Sequence, residues 1–245
     1  MENGPGTWLR TFVPRPDAAR RIVCLPHGGG GATGFRPWAE ALPGTEVVCV
    51  QYPGREDRVG DPFPPDLPAM AARIADELAP LLDRPYALFG HSMGAAVAHE
   101  VAHALRERGR PEPRRLFASG REAPHDEQGG TVHLLDDDGL AEELRRLGGT
   151  DAEVLRAPEL RAMILAYVRE DYRLVETYRP RRRAPLTCPV SVFLGAADPD
   201  LDPARATRWA GATTGPTDLR VFPGDHFYLV PHRAETIAAV AGALS

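Results

Sequence analysis

The sequence contains no lysine: all 29 basic residues are arginine. With abundant alanine, glycine and proline, this is the mark of GC-rich coding, a bias without functional content. Cysteine is scarce as well. Cys24, Cys49 and Cys188 are odd in number and scattered, each in or beside an apolar strand-like run, so buried reduced thiols are expected. There is no excess of positive charge. The net charge of −5 gives no reason to expect a nucleic acid or an anionic membrane as partner. No apolar stretch is long enough to span a bilayer, and Met1–Arg10 lacks the apolar core of a signal peptide. No internal repeat is visible. These absences lead to the expectation of a soluble cytoplasmic protein. Its 245 residues, 43% of them hydrophobic, suffice for one α/β domain over 1–245 with a sizeable core.

What is present centres on Tyr86–Ala96, YALFGHSMGAA. Its first half reads as a buried strand. Its second half, continuing through Glu100 to Leu105, has apolar residues at helical spacing. Between them lies Gly90-x-Ser92-x-Gly94, the pattern of a nucleophile elbow. A strand that reverses sharply into a helix leaves its central residue strained and exposed. Side chains two positions to either side would collide, hence the glycines. Ser92 then stands at a helix N-terminus, where free N–H groups favour developing negative charge.

Around this unit, strands and helices alternate. Thr7–Val13 reads as a short edge strand, and Arg21–Leu25, Glu46–Val50, Leu116–Ser119, Val190–Leu194 and Leu219–Phe222 as better ones. Phe35–Leu42, Asp66–Leu82, Pro203–Trp209 and Arg233–Leu244 read as helices. The alternation predicts a mainly parallel sheet flanked by helices. From 124 to 180 the strand signal fades, and Leu134–Leu147, Ala152–Arg156 and Pro158–Tyr178 read as helices. That block is too long for an ordinary connection and is expected to be an inserted helical lid over the carboxyl ends of the strands, where open α/β sheets bind ligands.

A serine hydroxyl needs a base, usually histidine held by a carboxylate. In α/β-hydrolases the acid and then the histidine follow the serine along the chain. Asp198 and Asp200 follow the strand ending at Leu194; Asp198 is favoured, being nearer the strand end and stiffened by Pro199. His226 follows the strand ending at Phe222. An oxyanion hole would take one N–H from Met93, the residue after the nucleophile. The other would come from the loop His27-Gly28-Gly29-Gly30, with Gly28 first and Gly29 second. His99 and His103, four apart on a helix, have metal-ligand spacing but no third ligand, so they read as helix-face residues. His91 is expected to point along the elbow; His125, His133 and His232 read as surface residues. Gly29-x-Gly31-x-x-Gly34 also matches a dinucleotide-binding pattern, but Gln51 and Tyr52 stand where an acid should follow the next strand, and the elbow would go unexplained.

The chain resembles the type II thioesterases that accompany modular polyketide synthases and non-ribosomal peptide synthetases. The resemblance is carried by LPHGGG (Leu25–Gly30), QYPGRE (Gln51–Glu56), FGHSMG (Phe89–Gly94), LRRLGGT (Leu144–Thr150) and GDHF (Gly224–Phe227), and it covers nearly the whole length. The second and fourth segments are the most specific. Gly28 stands where the family usually has alanine, a change that keeps the backbone donor, and Asp200 is a second acid close to Asp198. The resemblance implies an α/β-hydrolase fold and an editing enzyme that removes aberrant or stalled acyl groups from the phosphopantetheine arm of acyl or peptidyl carrier proteins. It implies Ser92 as nucleophile, His226 as base, Asp198 as its support, Met93 and Gly28 as oxyanion donors, and no cofactor of the enzyme's own. Carrier proteins are acidic, and Arg181-Arg182-Arg183 is a candidate docking patch. A chain that begins at Met1 and ends after one domain favours a stand-alone editor, with a monomer as the default. A carboxylesterase or lipase would share the triad, and a non-catalytic carrier-binding module is the alternative from another class.

Overall fold

Runs such as Ile22–Leu25 are apolar at every position, so both faces of the sheet they enter must be covered. The computed structural model describes residues 8–126, 129–148 and 157–244. In it, β1 (Leu9–Arg10), β2 (Arg20–Leu25), β3 (Thr45–Val50), β4 (Tyr86–His91), β5 (Leu116–Ser119), β6 (Val190–Gly195) and β7 (Thr217–Phe222) form one sheet in the order β1-β3-β2-β4-β5-β6-β7. Every neighbouring pair is parallel except β1 with β3. The edge strand expected over Thr7–Val13 is only two residues long; Pro14 and Pro16, which have no N–H for a ladder, follow closely, and Thr7 lies outside the described residues.

Strand periodicity sorts the core into two layers. Val23, Leu25, Val48, Val50 and Leu88 look toward α2 (Leu67–Leu78) and α3 (Met93–Glu107). Ile22, Cys24, Val47, Cys49, Phe89 and Phe117 look the other way, toward α1 (Arg36–Ala41) and α7 (Arg233–Leu244). The three cysteines are free and buried.

Helix α3 is buried from Met93 to Leu105, polar residues included. His99 and His103 therefore sit inside the fold rather than on a wetted face. Arg106 donates to His103 Nδ1 at 2.9 Å, so His103 Nε2–H donates to His99 Nε2 at 3.1 Å. Beside them Glu100 accepts the Tyr178 hydroxyl at 2.6 Å and the Arg183 guanidinium at 3.0 Å.

Between β5 and β6 the chain leaves the sheet. It forms α4 (Asp137–Leu147) and α5 (Pro158–Glu176), which share a small core of Leu140, Leu144, Ile164, Leu165 and Val168. Asp136 caps α4 through the Gly139 N–H, and Gly148 ends it in the left-handed conformation at φ 81°. The helix expected over Ala152–Arg156 lies outside the described residues, as do Gly149 and Thr150 of the LRRLGGT segment. Among the described residues no helix is long and apolar enough to cross a membrane.

Candidate active site

Ser92 joins β4 to α3 with φ 52° and ψ −119°, a strained conformation held by the backbone on both sides. Its N–H donates to Ser119 O at 2.8 Å and its carbonyl accepts from Ala95 N at 2.9 Å. The flanking glycines are there for space. A Cβ on Gly90 would stand 2.0 Å from Gly94 O, and one on Gly94 would stand 2.1 Å from Leu25 O at the end of β2.

The loops after β6 and β7 grip each other. Ala196 N–H donates to Phe222 O at 2.8 Å and Ala197 N–H to Gly224 O at 2.9 Å, while Gly195 leaves no room for a Cβ, which would lie 2.0 Å from Asp225 O. This clasp brings Asp198 to His226: the carboxylate Oδ2 accepts from Nδ1 at 2.8 Å, and both side chains are buried. Asp198 Oδ1 accepts the Asp200 N–H at 3.0 Å. With Nδ1 carrying the proton, His226 keeps the lone pair of Nε2 for the cavity. Asp200 itself is half-exposed and pairs with Arg146 of α4 at 3.0 Å, so the geometry joins Asp198, not Asp200, to the histidine.

Ser92, Met93, Gly28 and His226 line one cavity, together with Asp171 and Tyr172 of α5 and Leu144 of α4. No hydrogen bond joins the Ser92 hydroxyl to the His226 ring here; such bonds are often long without substrate. The first turn of α3 leaves the Met93 N–H without an intrahelical acceptor. Of the two loop candidates, Gly29 is occupied: its N–H donates to Asp171 Oδ2 at 2.7 Å. Gly28 N–H is not engaged by another group among the described residues. A Cβ on Gly28 would meet Asp171 Cβ at an ordinary 3.6 Å, so alanine fits at this position.

Several residues that build the site are not evident from motifs. His91 is fully buried; its Nδ1 shares a hydrogen bond with Ser119 Oγ at 2.8 Å, and Ser119 Oγ another with Tyr228 OH at 2.6 Å. The His91 ring packs against that of His226, with centroids 5.0 Å apart. Gly120, at φ 60°, admits no side chain, since a Cβ would lie 2.7 Å from the His91 ring. Asp171 had one sequence signal: it interrupts the apolar stripe Ile164–Val168–Val175 of α5. It receives Arg55 in a fork, NH1 to Oδ2 at 2.5 Å and NH2 to Oδ1 at 2.6 Å.

Two further sequence expectations change. His133 is not a free surface residue: Glu176 holds it at 2.6 Å, with the side chain 16% exposed. Arg183, expected in a docking patch, is committed to Glu100 at 3.0 Å and Glu107 at 3.3 Å, which leaves Arg181 and Arg182 as the exposed members of that run. Among the described residues no group of three or more His, Cys, Asp or Glu could hold a metal ion.

Burial keeps four histidines neutral. Burial first, and then the charge of His226 and Arg55, lowers His27 from 6.5 to about 4. Burial, then Arg106 and Arg183, lowers His103 to about 4. Burial holds His91 and His99 well below the ordinary value, with neighbouring histidines adding to it. The unfolded chain takes up these protons near pH 6.5 and the folded chain does not, so stability is full above 6.5 and falls as the pH drops toward 4. Each histidine adds a slope of up to about 1.4 kcal/mol per pH unit. Urea midpoints should fall steadily between pH 7 and 5, a window above the ordinary carboxylate range. A flat profile there would contradict the buried neutral state.

Residues 20–243 match the family model described as thioesterase domain. The chain is 46% identical over 240 residues to the probable cadicidin biosynthesis thioesterase of Streptomyces griseus, covering 97% of this chain and 66% of that protein. It is 42% identical over 226 residues to thioesterase PikA5 of Streptomyces venezuelae, covering 91% and 80%. The structure matches that of the type II thioesterase BorB from the borrelidin biosynthetic cluster with a TM-score of 0.91 and 41% identity, covering 100% of both chains. In that fold the sheet is the mainly parallel, helix-flanked α/β-hydrolase sheet expected from the alternation.

Proposed function

From the premise that this chain belongs to the thioesterase domain family, we propose that it is a type II editing thioesterase. It releases aberrant or stalled acyl groups from the phosphopantetheine arm of acyl or peptidyl carrier proteins in polyketide or non-ribosomal peptide assembly. The observation that carries the chemistry is the Asp198–His226 bond at 2.8 Å, opening onto the cavity that holds Ser92 at its strained elbow.

Ser92 Oγ attacks the thioester carbonyl carbon as its proton passes to His226 Nε2. The carbonyl oxygen becomes an oxyanion facing the Met93 and Gly28 N–H groups. As the intermediate collapses, the C–S bond breaks and His226 returns the proton to the departing thiolate. Water then attacks the acyl-serine ester. His226 takes its proton, the C–Oγ bond breaks, Ser92 regains the proton, and the free acid leaves. Asp198 holds the His226 tautomer and steadies the imidazolium. The phosphopantetheine is part of the substrate; the steps draw on side chains and backbone alone. The 124–180 segment, with α4 and α5 on the cavity, is the lid that shapes the acyl chamber. One relative named above is a probable biosynthesis thioesterase and the solved neighbour is a type II thioesterase from a biosynthetic cluster, which supports the carrier-bound substrate.

The test is hydrolysis of an acylated phosphopantetheinyl carrier protein, followed by intact mass of the carrier. Loss of the acyl mass with the phosphopantetheine arm retained supports the reading. Intact acyl carriers across several chain types, with brisk cleavage of a simple oxygen ester, would overturn it in favour of a carboxylesterase.

A further inference from the structure

We propose that the Arg55–Asp171 pair is a positioning device for the oxyanion hole, and that it makes the hole's geometry depend on helix α5 being seated. The inference rests on the reading above in which Gly28 and Met93 receive the oxyanion.

The loop Gly28–Gly31 is four consecutive glycines, the backbone with the most freedom to lose. It is nevertheless held at three points. Gly30 N–H closes a turn on His27 O at 2.9 Å, Arg55 donates to Gly30 O at 3.1 Å, and Asp171 takes the Gly29 N–H at 2.7 Å. The last bond fixes the peptide that follows Gly28 and removes Gly29 as a competing donor. It comes from outside the loop's own layer, because Asp171 belongs to α5, between β5 and β6.

A carboxylate lining the cavity would by itself oppose negative charge on the substrate. Arg55 answers that charge in a fork at 2.5 and 2.6 Å, with both side chains no more than 3% exposed. The guanidinium also lies 4.7 Å over the ring of Tyr167, one turn earlier on α5. Withdrawal of α5 would therefore take away the Gly29 acceptor and leave Arg55, which stays with the loop after β3, without its carboxylate partner. A lid that opens to admit an acyl arm leaves the hole unformed, and reseating it completes the hole. Arg55 is the arginine of the QYPGRE segment, and this contact gives that segment a physical role at a site 25 residues away in sequence.

Asp171→Asn keeps the size of the side chain but sets an amide N–H against the guanidinium. On a soluble acyl-N-acetylcysteamine thioester, its kcat should fall about 10- to 100-fold with KM within about threefold. An acyl trifluoromethyl ketone, whose adduct with Ser92 places an oxyanion in the hole, should lose affinity by the same factor. The matching secondary alcohol, which forms no adduct, should bind as to wild type. Arg55→Lys, which keeps the charge and loses the fork, should repeat the pattern more mildly, and it carries the test if Asp171→Asn fails to fold. Leu78→Ala in α2, away from the loop, should lower Tm without separating the two inhibitors.

A kcat loss that merely follows Tm, a raised KM with kcat unchanged, or equal weakening of both inhibitors would overturn the proposal. Wild-type inactivity on the thioester would strike the function reading instead. Normal wild-type hydrolysis, dependent on Ser92 and undiminished in both variants, would strike this inference alone.

Discussion

Ser92→Ala should lower kcat for thioester hydrolysis about 10⁶-fold, and Asp198→Asn about 10⁴-fold, while Asp200→Asn stays within about threefold. The first removes the atom that forms the acyl-enzyme in the proposed mechanism. The second acts through the histidine. An amide at 198 would donate to Nδ1, so the proton would sit on Nε2, where the base needs a lone pair; the ring would stay in place in the wrong tautomer. Asp200 offers a sharp comparison because it lies two residues away and carries the same charge. Its side chain reaches Arg146, and only its backbone N–H supports Asp198, a donor that asparagine retains. Single-turnover hydrolysis of one thioester by the three variants, with Tm recorded for each, decides the matter. A larger loss from Asp200→Asn than from Asp198→Asn would reverse the assignment of the acid.

Gly94→Ala should be severely damaging for a single added methyl group. Its Cβ would stand 2.1 Å from Leu25 O and 2.6 Å from Pro26 O, both backbone atoms that cannot rotate away. Either α3 or the end of β2 must shift by about 1 Å, and overpacking on that scale costs about 3 kcal/mol. The same shift displaces the loop that begins at His27, and a misplacement of that size costs about 10²-fold in rate. Gly242→Ala is the counterpart. It adds the same methyl group to an exposed position of α7 with nothing within 4 Å, and should gain about 0.5 kcal/mol from helix propensity. Urea denaturation of the pair should give shifts of opposite sign. A Gly94→Ala protein with wild-type midpoint and rate would mean that the elbow has slack the structure does not reveal.

The parts of the candidate site that were legible in the sequence are those fixed by local geometry. An elbow needs small residues at Gly90 and Gly94 whatever surrounds it, and Asp198 and His226 sit directly past strand ends. Alternation likewise announced the parallel sheet. What sequence reading missed is held by partners far away along the chain. Asp171 meets Arg55 across 116 residues, and Tyr228 meets Ser119 across 109. His133 read as a surface residue because Glu176, 43 residues on, gave no hint of its approach. The sequence alone offers no physical reason to prefer Gly28 to Gly29; the structure supplies one, the capture of the Gly29 N–H by Asp171.

The strand order has a consequence for synthesis. The elbow, the glycine loop and strands β1 to β5 lie before residue 120, while the proposed acid and base, Asp198 and His226, belong to the loops after β6 and β7. Those two strands occupy one edge of the sheet and add to it in sequence, β6 on β5 and then β7 on β6. A nascent chain can thus build a complete nucleophile elbow on the ribosome and still have nothing to deprotonate it. On the proposed mechanism, hydrolytic competence arrives only once β7 has joined the sheet.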